Sequence, residues 1–253
     1  MRYSLLAGGK RIRPVLALAT AAAVGQPLDS VLPLAGAIEL IHTYSLIHDD
    51  LPAMDNDDLR RGKPTSHRQF GEPVAILAGD GLFAEAMALV LEHQTGEPAR
   101  VNAALAELAR AAGVGGMVGG QYLDVAGVPV DIRHLHELKT GRLIGASVGC
   151  VLLLTGMSQP ATLPYRRFAA ELGVLFQIVD DILDVTGDEA ALGKPQGSDE
   201  RQGKRTYVSE FGLERARELA AESHQKARAA LADTGGRTGT LEQITDYILT
   251  RDK

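Results

Sequence analysis

Residues 47–62 read IHDDLPAMDNDDLRRG and directly follow a long apolar segment. The block places its aspartates ahead of two arginines: Asp49, Asp50, Asp55, Asp57 and Asp58 precede Arg60 and Arg61. A second cluster, Asp180, Asp181 and Asp184, follows another apolar segment at residues 172–179. Acidic clusters that end two apolar helices predict a cavity whose walls carry carboxylates from distant parts of the chain.

The composition indicates a globular, all-α protein. Hydrophobic residues make up 45% of the 253 residues, charged residues 23% and aromatic residues 4%. Runs of β-branched residues are rare, which favours helices over strands. The net charge of −6 and the few aromatic side chains argue against a nucleic-acid partner, which needs a basic surface and stacking platforms.

The sequence also predicts a soluble cytoplasmic protein with no membrane span. The longest apolar run, Leu143–Thr155, is shorter than the roughly 20 residues that a membrane-spanning helix needs. Cys150 is the single cysteine, so no disulfide forms within the chain, as expected in a reducing compartment. The first residues, Met1–Ser4, lack the apolar core of a signal peptide.

Apolar residues recur at helical spacing along nearly the whole chain, in segments joined by short loops that contain Gly or Pro. No alternating strand pattern and no long linker interrupts them, so we expect one domain over residues 1–253. The predicted helices are Pro14–Val24, Ser30–His48, Val74–His93, Ala99–Ala112, Ile132–Gly156, Leu163–Val185, Tyr207–Phe211, Glu214–Ala232 and Thr240–Arg251.

A glycine-rich segment, GVGGMVGG at residues 113–120, invites comparison with a phosphate-binding loop. It has neither the spacing of a P-loop nor the Lys-Ser/Thr that follows one. Glycines four residues apart instead favour a helix face that another backbone approaches closely. Just beyond, Gln121 and Asp124 share a face and can reach a cavity.

The two aspartate clusters call for a cation by different geometries. Asp180 and Asp184 are four residues apart, so they share one face of a helix and repel when no cation lies between them. Their immediate neighbours are apolar, which is not typical of a solvated acidic surface. Asp49 and Asp55 are six residues apart, and the intervening Pro52 breaks the helix, so a turn can bring Asp55 back towards Asp49.

Carboxylates without histidine or cysteine at ligand spacing favour Mg²⁺, which is bound by one or two carboxylates together with water and phosphate oxygens. A zinc site would need His or Cys ligands. The sequence Glu39-Leu40-Ile41-His42 matches the Glu-x-x-His motif of carboxylate-bridged di-iron bundles. Those bundles need a second such motif, and the chain contains no other.

Basic residues flank both acidic clusters. Lys10 and Arg13 lie at the start of a predicted helix, where the dipole also favours an anion, and Arg60-Arg61, Lys139-Thr140-Gly141-Arg142 and Lys194 to Lys204 supply further cations. Each basic pair by itself is typical of a solvated surface. Together, around two acidic clusters, they predict a polyanionic ligand that is held by metals and basic side chains.

These motifs, in this order, resemble the trans-isoprenyl diphosphate synthases (the polyprenyl synthetase family) of the bacterial farnesyl diphosphate synthase type. The resemblance extends over nearly the whole chain, and the motifs are specific only when taken together. They are Gly8-Gly9-Lys10-x-x-Arg13-Pro14, the Asp49–Arg61 block, Gly119-Gly120-Gln121, Lys139-Thr140-Gly141, Phe176-Gln177-x-x-Asp180-Asp181-x-x-Asp184, Gly193-Lys194 and Lys204.

The resemblance implies an isoprenoid synthase fold of about ten helices around a central cavity, usually as a homodimer. It implies a prenyltransferase that joins isopentenyl diphosphate to an allylic diphosphate by ionisation, condensation and elimination, with Mg²⁺ as cofactor (about three ions when substrates are bound). The implied metal ligands are Asp49, Asp50, Asp55, Asp180 and Asp184. The allylic diphosphate would be held by Arg60, Lys139, Lys194 and Lys204, and its site would be lined by Thr140 and Gln177. Isopentenyl diphosphate would be bound by Lys10, Arg13, His42 and Arg61.

Tyr44 and Ser45 lie five and four positions before Asp49, about one helical turn below the expected metal site. An aromatic residue there resembles the family pattern in which a bulky floor stops the product at farnesyl diphosphate, although Tyr44 as ordinary helix packing is the alternative. Other open alternatives are a geranylgeranyl or longer-chain synthase, a terpene cyclase, and a non-catalytic regulatory homologue. Because only residues 1–7 precede the Gly8-Gly9-Lys10 motif, we also expect the domain to lack an N-terminal helix that relatives carry.

Overall fold

The computed structural model describes residues 1–187 and 203–251. Over these residues the chain is almost entirely helical, which confirms the all-α prediction. Extended structure in the described part is limited to a hairpin that pairs Leu59–Arg60 with Lys63–Pro64. This hairpin follows the first aspartate cluster and turns the chain back after it.

The predicted helices are present, and most of their ends fall within two or three residues of the expected positions. One exception is the helix expected from Leu163, which begins at Gln159 because a proline is tolerated in the first turn, where its missing N–H has no intrahelical partner. In chain order the helices are α1 (Arg2–Leu5), α2 (Ile12–Ala23), α3 (Leu32–Asp49), α4 (Ser66–Phe70), α5 (Glu72–His93), α6 (Pro98–Ala112), α7 (Met117–Val125), α8 (Ile132–His136), α9 (Arg142–Thr155), α10 (Gln159–Thr186), α11 (Tyr207–Phe211), α12 (Leu213–Ala232) and α13 (Gly239–Thr250), with a short 3₁₀ turn at Leu28–Val31.

The segment expected as one helix from Ile132 to Gly156 contains a π-helical turn, Glu137–Gly141, between α8 and α9. A π turn adds a residue to the helical repeat and is common at functional sites. This turn carries Lys139 and Thr140, so the irregularity lies where the sequence predicts contact with a diphosphate.

Two clusters of buried apolar side chains form the interior, and α2 and α9 contribute to both. One cluster joins them to α10, α12 and α13 through residues such as Phe168 and Ile248. The other joins them to α3, α5 and α6 through residues such as Ile38 and Leu82. The C-terminal ends of α3 and α10, which carry the two aspartate clusters, therefore belong to different halves of the core.

Gly120 lets helix α7 approach the π turn closely, as the glycine-rich segment predicts. A β-carbon at this position would overlap the backbone N and Cα of Lys139. A similar close approach brings Gly173 of α10 next to Gly141, whose Cα would lie 3.0 Å from an added β-carbon. Glycines thus fix the position of the turn that carries Lys139 and Thr140.

Three helical segments of the described residues are long and apolar enough to cross a membrane by length and composition alone: Leu28–Asp49, Glu72–His93 and Ile132–Thr155. The sequence-based expectation of no span is therefore not confirmed. It rested on uninterrupted apolar runs, whereas these helices are longer than the runs they contain.

We expect Gly120→Ala to destabilise the protein, because the added methyl group would push the π turn away from α7. Overpacking of this kind costs about 1–3 kcal/mol of unfolding free energy, which denaturant unfolding followed by circular dichroism would measure. Gly115→Ala is the matched control, since a β-carbon there meets nothing within 4 Å. Equal stability of the two variants would contradict the proposed role of Gly120.

Candidate active site

Both aspartate clusters line one cavity of about 1420 Å³. Asp49 and Asp55 reach it from the end of α3, and Asp180 and Asp184 reach it from the last turns of α10. The sequence predicted that the two clusters share a cavity, and their placement agrees with that prediction. Apolar side chains such as Met117 and Ile76 line part of the same space.

The turn after α3 returns Asp55 to Asp49, as the proline in this segment suggested. The backbone N–H of Asp55 donates to the carbonyl oxygen of Asp49 at 2.9 Å. The Asp49 carboxylate accepts a hydrogen bond from Nε2 of Gln121 at 2.9 Å. Burial raises the pKa of Asp49 to about 6, Lys139 opposes this rise, and Asp55 adds to it. Burial therefore makes the charged form of Asp49 less favourable than that of a solvated aspartate, and a nearby cation would stabilise it.

Asp50 does not lie on the cavity wall with the other carboxylates. It is 3% exposed, and its Oδ1 accepts from Nε of Arg60 at 2.7 Å. Burial raises the pKa of Asp50 to about 6, against the effect of the bond to Arg60. The geometry therefore does not support Asp50 as a metal ligand, because its side chain is turned away from the cavity to hold Arg60, which does line it.

The second cluster also divides into two roles. Asp180 faces the cavity and pairs with the guanidinium of Arg251. Asp181 instead accepts from Nε2 of Gln177 and from the backbone N–H of Tyr207, both at 2.7 Å. Its carboxylate thereby ties α10 to the start of α11. Asp184 is 3% exposed and lies at the cavity edge.

The cations predicted to hold an allylic diphosphate line the same cavity. Lys139 lies 2.6 Å from the carboxylate of Asp124, and Lys204 lies 2.8 Å from that of Asp55. Thr140 donates to Oε1 of Gln177 at 2.9 Å, so the two residues expected to line the allylic site contact each other. Lys194 lies outside the described residues.

The residues predicted to bind isopentenyl diphosphate line the same cavity. Lys10, Arg13, His42 and Arg61 all line it, and Arg13 lies 3.4 Å from Nε2 of His42. Burial lowers the pKa of Arg13 to about 10. Burial and four neighbouring arginines hold the pKa of His42 well below its usual value, so this imidazole is neutral. All four residues therefore line one cavity, and their role in binding a diphosphate stays a prediction.

Tyr44 lines the cavity and is 8% exposed. Its ring makes edge contacts with Phe83 of α5 and with His48, at centroid distances of 5.4 and 5.7 Å. Ser45 also lines the cavity, and its hydroxyl donates to the carbonyl oxygen of His42 at 2.9 Å. The role of Tyr44 as the floor of the cavity stays a prediction.

Sequence reasoning missed two contributors to the site. The sequence predicted Arg251 only as the last residue of the C-terminal helix. Its guanidinium contacts Asp180 on α10, and no local motif marks a contact between residues so far apart in the chain. His136 lines the cavity and stacks on Tyr207 at 5.5 Å. Burial lowers the pKa of His136 to about 4, and no spacing rule relates the two aromatic rings.

The donor set fits a hard divalent cation. The cavity-facing acidic groups are carboxylates, the ligands that Mg²⁺ prefers, and Asp49 and Asp55 are held close together. Within residues 1–187 and 203–251 no three acidic, histidine or cysteine side chains are close enough to form a metal site on their own. Phosphate oxygens of a bound ligand would therefore have to complete the coordination.

The all-helical fold, the paired carboxylates and the two groups of cations define an enzyme of the isoprenoid synthase class. The chain belongs to the polyprenyl synthetase family, whose model matches residues 1–248. It is a prenyltransferase.

Several known proteins resemble this chain over its full length. A farnesyl diphosphate synthase of Geobacillus stearothermophilus is 47% identical over 100% of this chain and 87% of its own. A chloroplastic geranylgeranyl pyrophosphate synthase of Capsicum annuum is 46% identical over 100% of this chain and 70% of its own. The crystal structure of a geranyltransferase from Helicobacter pylori, complexed with magnesium and isoprenyl diphosphate, has a TM-score of 0.85 at 34% identity, over 97% of this chain and 84% of its own.

We expect Asp49→Asn to stabilise the metal-free protein near neutral pH while abolishing turnover. The folded-state pKa of Asp49, about 6, lies above the usual 3.8, so the folded chain binds this proton more tightly than the unfolded chain does. Protonation of Asp49 therefore stabilises the folded state fully below about pH 4, and this stabilisation is lost as the pH rises through about 6. Asparagine keeps the acceptor for Gln121 without the buried charge.

In EDTA, the melting temperature of Asp49→Asn should exceed that of the wild type at about pH 7, by an amount equivalent to about 1–3 kcal/mol. The difference should shrink as the pH is lowered to about 5. Asp29→Asn is the control, since Asp29 is exposed and should show no such dependence. A pH-independent difference would contradict the assigned burial effect.

Proposed function

We propose that this protein is a Mg²⁺-dependent farnesyl diphosphate synthase that joins isopentenyl diphosphate to dimethylallyl or geranyl diphosphate. The observation that carries the proposal is that one cavity is lined by two carboxylate clusters and by two sets of basic residues, each able to bind an anion. One group combines Asp49, Asp55, Asp180 and Asp184 with basic residues, and the other consists of cations around Arg13. A reaction between two diphosphate substrates needs two such sites.

In this proposal the first group holds the allylic diphosphate. Mg²⁺ bound between its oxygens and the aspartates would stabilise the negative charge that develops as the allylic carbon–oxygen bond breaks. Arg60, Lys139 and Lys204 lie on the same cavity wall and would bind the leaving diphosphate from the protein side. Asp50 contributes by orienting Arg60, and Asp124 by orienting Lys139.

The allylic cation then needs a sheltered position next to its nucleophile. The hydrogen-bonded side chains of Thr140 and Gln177 line the cavity, and their oxygen atoms would stabilise positive charge there. Lys10, Arg13, His42 and Arg61 would hold the diphosphate of isopentenyl diphosphate so that its double bond attacks the cation. The released diphosphate would accept the proton that is lost in the final elimination. Apolar walls exclude the water that would otherwise trap the cation.

Product length is the finer part of the proposal. Tyr44 lines the cavity and packs against Phe83 and His48, so its ring would limit the length of the growing chain, which supports a farnesyl product over the geranylgeranyl product named for the Capsicum annuum relative. A terpene cyclase would have no use for the second group of cations. A non-catalytic homologue would be expected to have lost one carboxylate cluster, and both are present.

We also propose that the protein is a homodimer formed through helix α5. This helix exposes apolar side chains along one face: Val74, Leu77 and Leu91 are between 50% and 68% exposed. Such a patch indicates an interaction surface. Asp80, whose side chain is 63% exposed, adds a charge to the surface of α5, which disfavours a lipid environment because a charge there is costly. A second copy of the chain is the better partner, and we retain the cytoplasmic, non-spanning assignment as part of the proposal.

The direct test is a product assay. The purified protein is incubated with Mg²⁺, isopentenyl diphosphate and geranyl diphosphate, and the prenyl alcohols are identified by mass spectrometry after phosphatase treatment. We expect farnesol as the main alcohol and no product in EDTA. Product formation that is insensitive to EDTA would contradict the metal assignment, and geranylgeraniol as the main alcohol would favour the longer-chain alternative.

In the same assay Tyr44→Ala should shift the product towards longer chains, because the growing chain can extend into the space that the ring vacates. Phe70→Ala is the matched control, since it also removes an aromatic ring but lies outside the cavity, at 47% exposure. An unchanged product from Tyr44→Ala would contradict the role of Tyr44, because another residue would then limit the length of the prenyl chain.

The dimer is tested by light scattering after size-exclusion chromatography. We expect the wild type to have the mass of two chains and Leu77→Lys to have the mass of one, because a charge in the centre of the apolar face opposes burial. Leu163→Lys is the control, since Leu163 on α10 is similarly exposed, at 57%, but lies away from α5. Dissociation of both variants, or of neither, would contradict the α5 interface.

A further inference from the structure

Glu39 is a buried carboxylate at the cationic part of the cavity, and the proposed reaction gives it no role. It lies on α3, three residues before His42, and is 8% exposed. Its Oε1 pairs with the guanidinium of Arg11. Its Oε2 is buried and, among the described residues, receives no hydrogen bond. A buried carboxylate with a hydrogen bond to only one of its oxygens lowers the stability of the fold. Attraction to nearby positive charges can offset that cost.

The charges around Glu39 are positive. Arg11, Arg13 and Arg61 line the cavity with it, and each of them lowers the pKa of His42, which places all three within electrostatic reach of one imidazole. Arg11 and Arg61 adopt left-handed backbone conformations, with φ of 53° and 54°. The cluster is therefore assembled at some conformational cost, and the guanidinium groups repel one another.

Arg13 shows why an internal anion is needed. It is 8% exposed, its contacts include the neutral His42 at 3.4 Å and the Phe176 ring at 5.9 Å, and its Nε is buried without a hydrogen-bond partner among the described residues. Burial lowers the pKa of Arg13, and among neighbouring charges Glu39 opposes this most strongly. Glu39 likewise raises the pKa of Arg61, against burial and the charge of Arg11.

We propose that Glu39 is a positioning residue that acts as an internal counter-ion: its carboxylate holds the arginines of the isopentenyl diphosphate site together while no diphosphate is bound, and it competes with the diphosphate for them. This inference rests on the proposed function, in which Arg13, His42 and Arg61 receive that diphosphate. It also gives the glutamate of the Glu-x-x-His motif a partner within the chain, the guanidinium of Arg11.

The two parts of the proposal have opposite consequences for the empty and the occupied site. Without the negative charge, the empty site contains unbalanced cations in a low-dielectric environment, so the ligand-free protein becomes less stable. Once an anion enters, the same change removes a competitor and strengthens binding. A residue that merely shaped the pocket would weaken both stability and binding when altered.

Glu39→Gln separates these outcomes, because the carboxamide oxygen can still accept from Arg11 while the charge is lost. The probe is inorganic pyrophosphate in EDTA, so that metal-dependent binding at the aspartates does not contribute. We expect the melting temperature of the ligand-free variant to fall, and its affinity for pyrophosphate, measured by calorimetry, to rise several-fold over that of the wild type. Glu92→Gln, whose side chain is 69% exposed, should change neither.

A double variant keeps the test decisive if Glu39→Gln folds poorly. Adding Arg11→Gln removes one cation and restores the charge balance, so the double variant should regain most of the lost melting temperature and bind pyrophosphate with near wild-type affinity. Failure of Arg11→Gln to rescue Glu39→Gln would overturn the counter-ion role, because it would show that the loss came from packing.

The result also distinguishes this inference from the function on which it rests. Unchanged or weaker pyrophosphate binding by Glu39→Gln, with binding by the wild type intact, would overturn the inference alone. Absence of metal-independent pyrophosphate binding by the wild type would overturn the proposed isopentenyl diphosphate site, and with it the role of Glu39.

Discussion

The structure depends on keeping like charges close together in a largely apolar cavity. Asp49 and Asp55 are joined by a backbone hydrogen bond of 2.9 Å, and burial together with the charge of Asp55 raises the pKa of Asp49 to about 6. Such an arrangement is unfavourable for the isolated chain. It is tolerated because the helical core on both sides supplies enough buried apolar area to hold the carboxylates in place.

Charged groups of opposite sign limit that cost throughout the cavity. Asp55 pairs with Lys204, Asp180 pairs with Arg251 and Asp50 pairs with Arg60. Each pair joins parts of the chain that are distant in sequence or separated by a turn. The ligand-free site is therefore a network of ion pairs that a metal and a diphosphate would rearrange, which makes the protein's own side chains competitors of its ligands.

Close backbone contacts position this network. Gly120 allows α7 to pack against the π turn, so that Gln121 reaches Asp49 on one side and Asp124 reaches Lys139 on the other. Gly141 packs against Gly173 of α10, which brings Thr140 to Gln177. A site whose groups come from several helices needs such contacts, because a shift of about 1 Å is enough to impair catalysis.

The amino-acid sequence by itself determined the helices, the two acidic clusters and most of the site residues, because helical periodicity, glycine and proline positions, and charge spacing are local properties. Only the tertiary structure decided which face of each motif meets the cavity. Asp50 and Asp181 belong to the aspartate motifs, yet their carboxylates accept hydrogen bonds from Arg60 and from the backbone N–H of Tyr207. Arg251 and Glu39 acquire their roles from partners on other elements. Such pairings depend on how helices pack, and helix packing is fixed by contacts between residues far apart in the chain.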